Sequence, residues 1–257
     1  MPPGATQTAA RPAITPSASP RLIVVSPHLD DAVLSCGSLL ARCAGSVVCT
    51  VFAGKPVEPL RTDWDTASGF GDAHEAMDAR WQEDERALAL CGAAPLWLDF
   101  LDSQYGVPPG VAEVADALEA QFRRFDSCLP VCPLGLWHSD HELVGAACRR
   151  LVSSRRLAGC IAYEDAIYRA MPGVLKAGLT RLRDDGLRAC FVHPRAFGAA
   201  ARSNAAAIKR RAIEAYESQA RAFDSFPPDV KRRERFWRIE SVGRALNGPN
   251  GAGAGRR

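Results

Sequence analysis

Arg21-Leu22-Ile23-Val24-Val25-Ser26-Pro27-His28-Leu29-Asp30-Asp31 is the stretch on which the fold turns. Its first half is a β-branched, apolar run that predicts a strand over 21–26. A helical pattern then runs over 32–43, with Leu34, Leu39 and Leu40 on one buried face. An imidazole and two carboxylates therefore crowd one strand terminus, which is the chemistry of a metal site. A second cluster, Trp137-His138-Ser139-Asp140-His141, follows the apolar run Leu129-Pro130-Val131-Cys132-Pro133-Leu134 and repeats the arrangement. Of the five histidines in the chain, three fall in these two clusters.

Outward from this stretch, strand and helix patterns alternate. A strand over 46–53 ends in Gly54; a helix over 73–91, a strand over 96–100 and a helix over 111–125 lead to the strand before His138 and a helix over 142–152. Strands over 159–163 and 188–192, a charged helix over 204–222 and a closing strand over 236–241 complete the order. Such alternation predicts an α/β fold on a parallel sheet. Both clusters then lie beyond the carboxyl ends of strands, where open α/β sheets bind their ligands. Segment 55–71, with two prolines and two glycines, is long for a plain connection and predicts a lid or a specificity loop.

Composition agrees with one enzyme-sized domain. The chain has 257 residues, 47% of them hydrophobic, and no internal repeat. Residues 1–20, rich in Pro, Ala, Thr and Ser, predict a disordered tail and not a signal peptide, and the glycine-rich 247–257 a flexible one, leaving a domain over 21–246. Nothing approaches the roughly eighteen apolar residues of a membrane span. The net charge of +3 is modest, and Lys231-Arg232-Arg233 before Phe236 and Trp237 predicts a solvated turn, not a nucleic-acid surface. Nine cysteines without a Cys-x-x-Cys pair, among them Cys49 and Cys190 in apolar runs, predict buried thiols and a reducing, cytoplasmic setting. Cys128 and Cys132 share one side of a strand and form no ligand loop.

Neither His/Asp cluster has the His-Glu-x-x-His form, and neither is thiolate-based. Their nitrogen and oxygen donors suit Zn²⁺, or another divalent first-row metal, better than Mg²⁺ or Ca²⁺, and three ligands with a wet fourth position make a catalytic pattern. Each cluster alone also has an ordinary explanation. An Asp-Asp pair at a strand end commonly caps a helix and faces its dipole, and His138 with His141 would be a surface pair on a helix start. The joint occurrence favours the metal site. Arg80 to Glu85 fits a solvated helix face, Tyr163-Glu164-Asp165 fits a strand end in an ordinary hydrogen-bond network, and His74 and His193 are structural or surface residues.

Pro27-His28-Leu29-Asp30-Asp31 resembles the Pro-His-x-Asp-Asp signature of the PIG-L/LmbE family of zinc-dependent N-deacetylases, and His138-Ser139-Asp140-His141 resembles that family's later His-x-Asp-His. Further echoes are Arg80-Trp81-Gln82-Glu83-Asp84 leading into Ala87-Leu88, Tyr163-Glu164-Asp165 followed by Tyr168, Lys209 with Tyr216-Glu217-Ser218-Gln219, and Glu234-Arg235-Phe236-Trp237, so that the resemblance spans 21–240. It implies a Rossmann-like three-layer, LmbE-like fold with a mostly parallel sheet. Carried over by position, it makes His28, Asp31 and His141 the ligands of Zn²⁺, Asp30 the general base acting on metal-bound water, and a protonated His138 the electrostatic partner or general acid. Arg80 stands where relatives use an arginine for substrate hydroxyls. Some relatives carry a tyrosine where this chain has Leu136; the change implies a more apolar pocket mouth and leaves oxyanion stabilisation to the metal, to His138 or to a donor such as Tyr168.

The function so implied is hydrolysis of an N-acyl group, commonly acetyl, from an amino sugar or glycosylated small molecule. The alternative is a noncatalytic α/β module that binds a sugar or nucleotide. A phosphoesterase is disfavoured, because the second motif lacks the carboxylates that hold two ions about 3.5–4 Å apart.

Overall fold

The computed structural model describes residues 20–197 and 204–242. The tails expected over 1–20 and 247–257, Pro20 apart, lie outside the described residues, as does the end of the expected domain from 243 to 246.

Seven strands make up the sheet: β1 (Leu22–Ser26), β2 (Ser46–Thr50), β3 (Ala93–Trp97), β4 (Leu129–Pro133), β5 (Gly159–Tyr163), β6 (Leu187–Val192) and β7 (Phe236–Ser241). Their spatial order is β3-β2-β1-β4-β5-β7-β6. The first five run parallel, and β7 pairs antiparallel with both β5 and β6. The order reverses between β1 and β4: the chain steps outward from β1 through β2 to β3, then returns to the other side of β1. That switch point opens the crevice in which the site lies.

The continuous apolar run of β1 follows from burial on both faces. Leu22 and Val24 pack on one side with α1 (Asp31–Arg42), α3 (Ala73–Cys91) and α7 (Ala205–Glu214). Ile23 and Val25 pack on the other with α4 (Val111–Arg124), α5 (Ser139–Ser153) and α6 (Val174–Asp184). Helices thus cover both faces, giving the three layers expected. Helix α3 keeps its expected bounds because both ends are specified: the Asp72 carboxylate accepts from the His74 and Glu75 amides, and Gly92 closes the far end at φ 72°.

Four local differences have physical reasons. Strand β3 starts at Ala93, before the expected 96, since Ala93 pairs with Ser46; Pro95 is accommodated because β3 is an edge strand. Segment 55–71 contains α2 (Asp63–Ala67), capped by Thr62 Oγ1 on the Asp65 amide. The helix expected over 204–222 breaks at Tyr216 into α7 and α8 (Glu217–Ala222), and the Tyr216 ring turns inward, its hydroxyl donating to buried Asp84 at 2.8 Å. Helix α1 kinks at Cys36, and the amides of Ser38 and Leu39 freed there donate to the Glu234 carboxylate, itself paired with Lys209 at 3.0 Å.

Eight cysteines are buried as expected, whereas Cys190, on the outermost strand β6, is exposed. Its neighbours Arg188 and Phe191 on this edge strand are exposed as well. No helix among the described residues is long and apolar enough to cross a membrane.

Candidate metal centre

Each group of the site stands just past the carboxyl end of a parallel strand: His28, Asp30 and Asp31 after β1, Asp102 after β3, His138 to His141 after β4, Asp165 and Tyr168 after β5. After β4 the approach depends on two glycines. Gly135 has φ 74°, and a Cβ there would sit 2.6 Å from the His141 carbonyl oxygen and 2.9 Å from Gly145 Cα. Only glycine lets this loop lie against α5 closely enough to swing His141 toward β1. Helix α5 also begins earlier than expected, at Ser139 with His138 as its N-cap, so Asp140 and His141 occupy its first turn.

The structure brings the three expected ligands together. Ligand atoms of His28, Asp31 and His141 all lie within 4.8 Å of one another. Asp31 Oδ2 is the hub, 3.1 Å from His28 Nδ1 and 3.1 Å from His141 Nε2. The remaining ring nitrogens are tied back by carboxylates: His141 Nδ1 to Asp165 Oδ1 at 2.7 Å and His28 Nε2 to Asp140 Oδ2 at 3.0 Å. Those partners hold the two rings with His28 Nδ1 and His141 Nε2 both turned toward Asp31 Oδ2, the arrangement carboxylates give to metal-binding histidines. His141 Nε2 is buried with no hydrogen bond of good geometry, an orphaned nitrogen that a cation would satisfy. The donor set therefore fits a divalent ion of zinc's preferences.

Electrostatics agree. Burial alone would lower the His141 pKa, but Asp31 and Asp165 outweigh it and raise it to about 9. His28 is likewise raised, its burial outweighed by Asp140 and Asp31. Asp31 resists the upward push of burial and, facing both imidazoles, lies well below the ordinary carboxylate range.

Asp30 holds the N-cap position of α1, yet its side chain caps no amide. The ordinary explanation of the Asp-Asp pair thereby fails for Asp30, whose carboxylate faces the cavity and is raised to about 7 by burial and by the charge of Asp31. His138 Nδ1 accepts the Asp140 amide at 3.3 Å, which leaves Nε2–H as the donor facing the cavity. Burial first, then the His28 and His141 imidazoles, hold His138 below its ordinary value.

The cavity at this centre measures about 380 Å³. Arg80 and Tyr168 both line it. Arg80 is 5% exposed and not on a solvated helix face: it pairs with Asp65 at 2.8 Å and donates to Tyr105, while its Nε has no partner. Segment 55–71 is tied down by that pair, by Arg221 on the Ser68 carbonyl and by Trp64 on Gln219, and its Trp64 lines the cavity. Leu136 departs from expectation. It is fully buried against Gly178 of α6 and does not contribute to the cavity mouth.

Asp140 and Asp165 were quoted among the motifs without a role, and Asp102, 3.8 Å from His28 Nε2, had no signal beyond its place after a strand. Their common trait is position at one sheet edge, which only the strand order reveals. His74, expected to be structural, hydrogen-bonds the Pro56 carbonyl at 2.8 Å.

Residues 23–152 match the family profile described as PIG-L: GlcNAc-PI de-N-acetylase. Solved structures with the same fold include the zinc-inhibited form of a teicoplanin deacetylase, 23% identical, covering 89% of this chain and 100% of that one, with a TM-score of 0.67. A deacetylase of the A40926 pseudoaglycone, 23% identical, covers 88% of this chain and 99% of that one at 0.67. A deacetylase in complex with teicoplanin, 25% identical, covers 87% and 100% at 0.66. No curated protein matches the sequence.

Proposed function

The chain belongs to the PIG-L family and is an N-deacetylase, a hydrolase, and from that premise we propose that it removes an N-acyl group, acetyl foremost, from an amino sugar or glycosylated small molecule with Zn²⁺ as cofactor. The noncatalytic binding module is set aside by this membership. The observation that carries the proposal is the convergence of His28 Nδ1, Asp31 Oδ2 and His141 Nε2 on one space beside an uncommitted Asp30. Support for the substrate class comes from the relatives crystallised as deacetylases of teicoplanin and of the A40926 pseudoaglycone.

His28, Asp31 and His141 would hold the ion, which when bound supplies a Lewis acid and lowers the pKa of water to roughly 7. Asp30 takes the proton of the attacking water and returns it to the leaving nitrogen, both within the same cavity. His138 donates Nε2–H to the oxygen that gains charge as the amide carbonyl becomes tetrahedral. Arg80 and Tyr168, which both line the cavity, hold the substrate. Free amine and a carboxylate leave.

Amine release from N-acetylated amino sugars, with metal content measured on the same samples, tests the proposal. D30N is expected to keep the ion and lose about 10²–10⁴-fold in turnover, whereas H28A and H141A lose the ion. A D30N enzyme of near-normal rate would remove the base assignment, and full activity after exhaustive chelation would remove the metal.

A further inference from the structure

We propose that Trp137 and Tyr168 form a stacking platform at the cavity mouth for a flat apolar ring that the substrate carries beyond its acylated amino sugar, making Trp137 a specificity-determining residue. This deepens the amino-sugar reading above and rests on it.

Trp137 is 54% exposed, yet its ring is held, stacked on Tyr168 with centroids 5.3 Å apart and planes 29° from parallel. The chain accepts strained backbone to keep it there. Trp137 has φ 63°, and the His138 amide closes onto the Leu136 carbonyl at 2.8 Å, a three-residue turn in its unfavourable, positive-φ form. Glycine would adopt it at no steric cost.

The other half of the platform is strained independently. Ile167, just before Tyr168, has φ 74° and ψ −58°, which for a β-branched residue is a true outlier. Buried Asp229 holds it in place, accepting from the Ile167 amide at 3.0 Å and from Arg169 Nε at 2.8 Å. Strain at Trp137 and at the residue before Tyr168 persists only where the surroundings enforce it, and such sites cluster where ligands bind.

The platform abuts the reaction centre. Tyr168 lines the cavity, stacks over His138 at 6.2 Å and meets His141 edge-on at 4.9 Å. Trp137 lies outside the cavity lining, so the ring it receives is a neighbour of the enclosed sugar and not that sugar itself. Its exposed indole face offers no charge, which suits an aromatic aglycone or the C–H face of a second pyranose.

The test uses zinc-loaded wild type, W137A, W137F and W137G with three probes: methyl N-acetyl-β-glucosaminide, its 4-nitrophenyl counterpart and N,N′-diacetylchitobiose. Amine release and calorimetric binding are both measured. Wild type is expected to favour a ring-bearing probe over the methyl glycoside by about tenfold in kcat/KM, W137F to keep most of that ratio, and W137A to bring it near one. W137G relaxes the backbone, so a collapsed ratio in it is read from a chain with no folding penalty at this turn. Preference for the nitrophenyl probe identifies an aromatic aglycone; preference for chitobiose identifies a second sugar. Equal kcat/KM for all three in wild type overturns the platform and leaves the deacetylase reading standing. A W137A loss spread evenly over the probes also overturns it. If no probe releases amine while the binding preference and its loss in W137A persist, the platform stands and the amino-sugar deacetylation fails.

Discussion

Asp165 shows how a residue remote from the ligands in sequence governs them in space. One carboxylate oxygen holds His141 Nδ1 at 2.7 Å and the other accepts the Gly135 amide at 3.1 Å, tying the ligand ring to the loop that delivers it. D165N should therefore weaken zinc binding about 10–100-fold, measured by competition with a chromophoric chelator, while thermal unfolding shows the fold retained. An unchanged affinity would mean that the bond is incidental. At this scale the meeting of His28, Asp30, Asp31, His138 and His141 at one place was legible, because two short motifs concentrate the chain's imidazoles. The anchoring roles of Asp140 and Asp165 were not. Asp165 lies 24 residues from His141, and nothing along the chain announces that β4 and β5 are neighbours.

At the scale of the element, α1 is the part whose form the periodicity misjudged. Its apolar spacing predicted one continuous helix, and the structure bends it at Cys36, with Glu234 from before the last strand capping the second half and Lys209 from α7 neutralising the cap. Gly37 admits that contact, since a Cβ there would lie 2.9 Å from Lys209 Cγ. E234A strands two amides and an almost fully buried ammonium together and is expected to cost about 3–5 kcal/mol, read by denaturant unfolding. E234Q, which still accepts from the amides, should cost less. Equal losses in the two variants would assign the effect to the ion pair and not to the cap.

For the whole molecule, the metal-free site stores a proton-linked term whose sign is opposite to that of metal binding. His141 has its pKa raised to about 9, so its contribution to stability is complete below the unfolded value near 6.5 and is lost as pH rises toward 9. Zinc held by His141 would displace that proton, and its affinity is expected to grow over the same window. Zinc at about a hundred times its dissociation constant should raise Tm by roughly 5–10 °C. The shift at fixed total zinc is expected to be larger at pH 8.5 than at pH 6.5, and scanning calorimetry with and without zinc checks it. A shift that shrinks with rising pH would contradict proton displacement.

The alternating pattern of the chain determined by itself the α/β class, most strand and helix positions, and the donor chemistry of the site, since periodicity and short motifs are local properties that survive in one dimension. Tertiary structure alone decided that β1 and β4 are neighbours, that α5 starts at Ser139 with His138 as its cap, that Arg80 is buried against Asp65 and that Trp137 stacks on Tyr168. Each of these depends on contacts between segments far apart in sequence, whose free energy exists only once the sheet has brought them together.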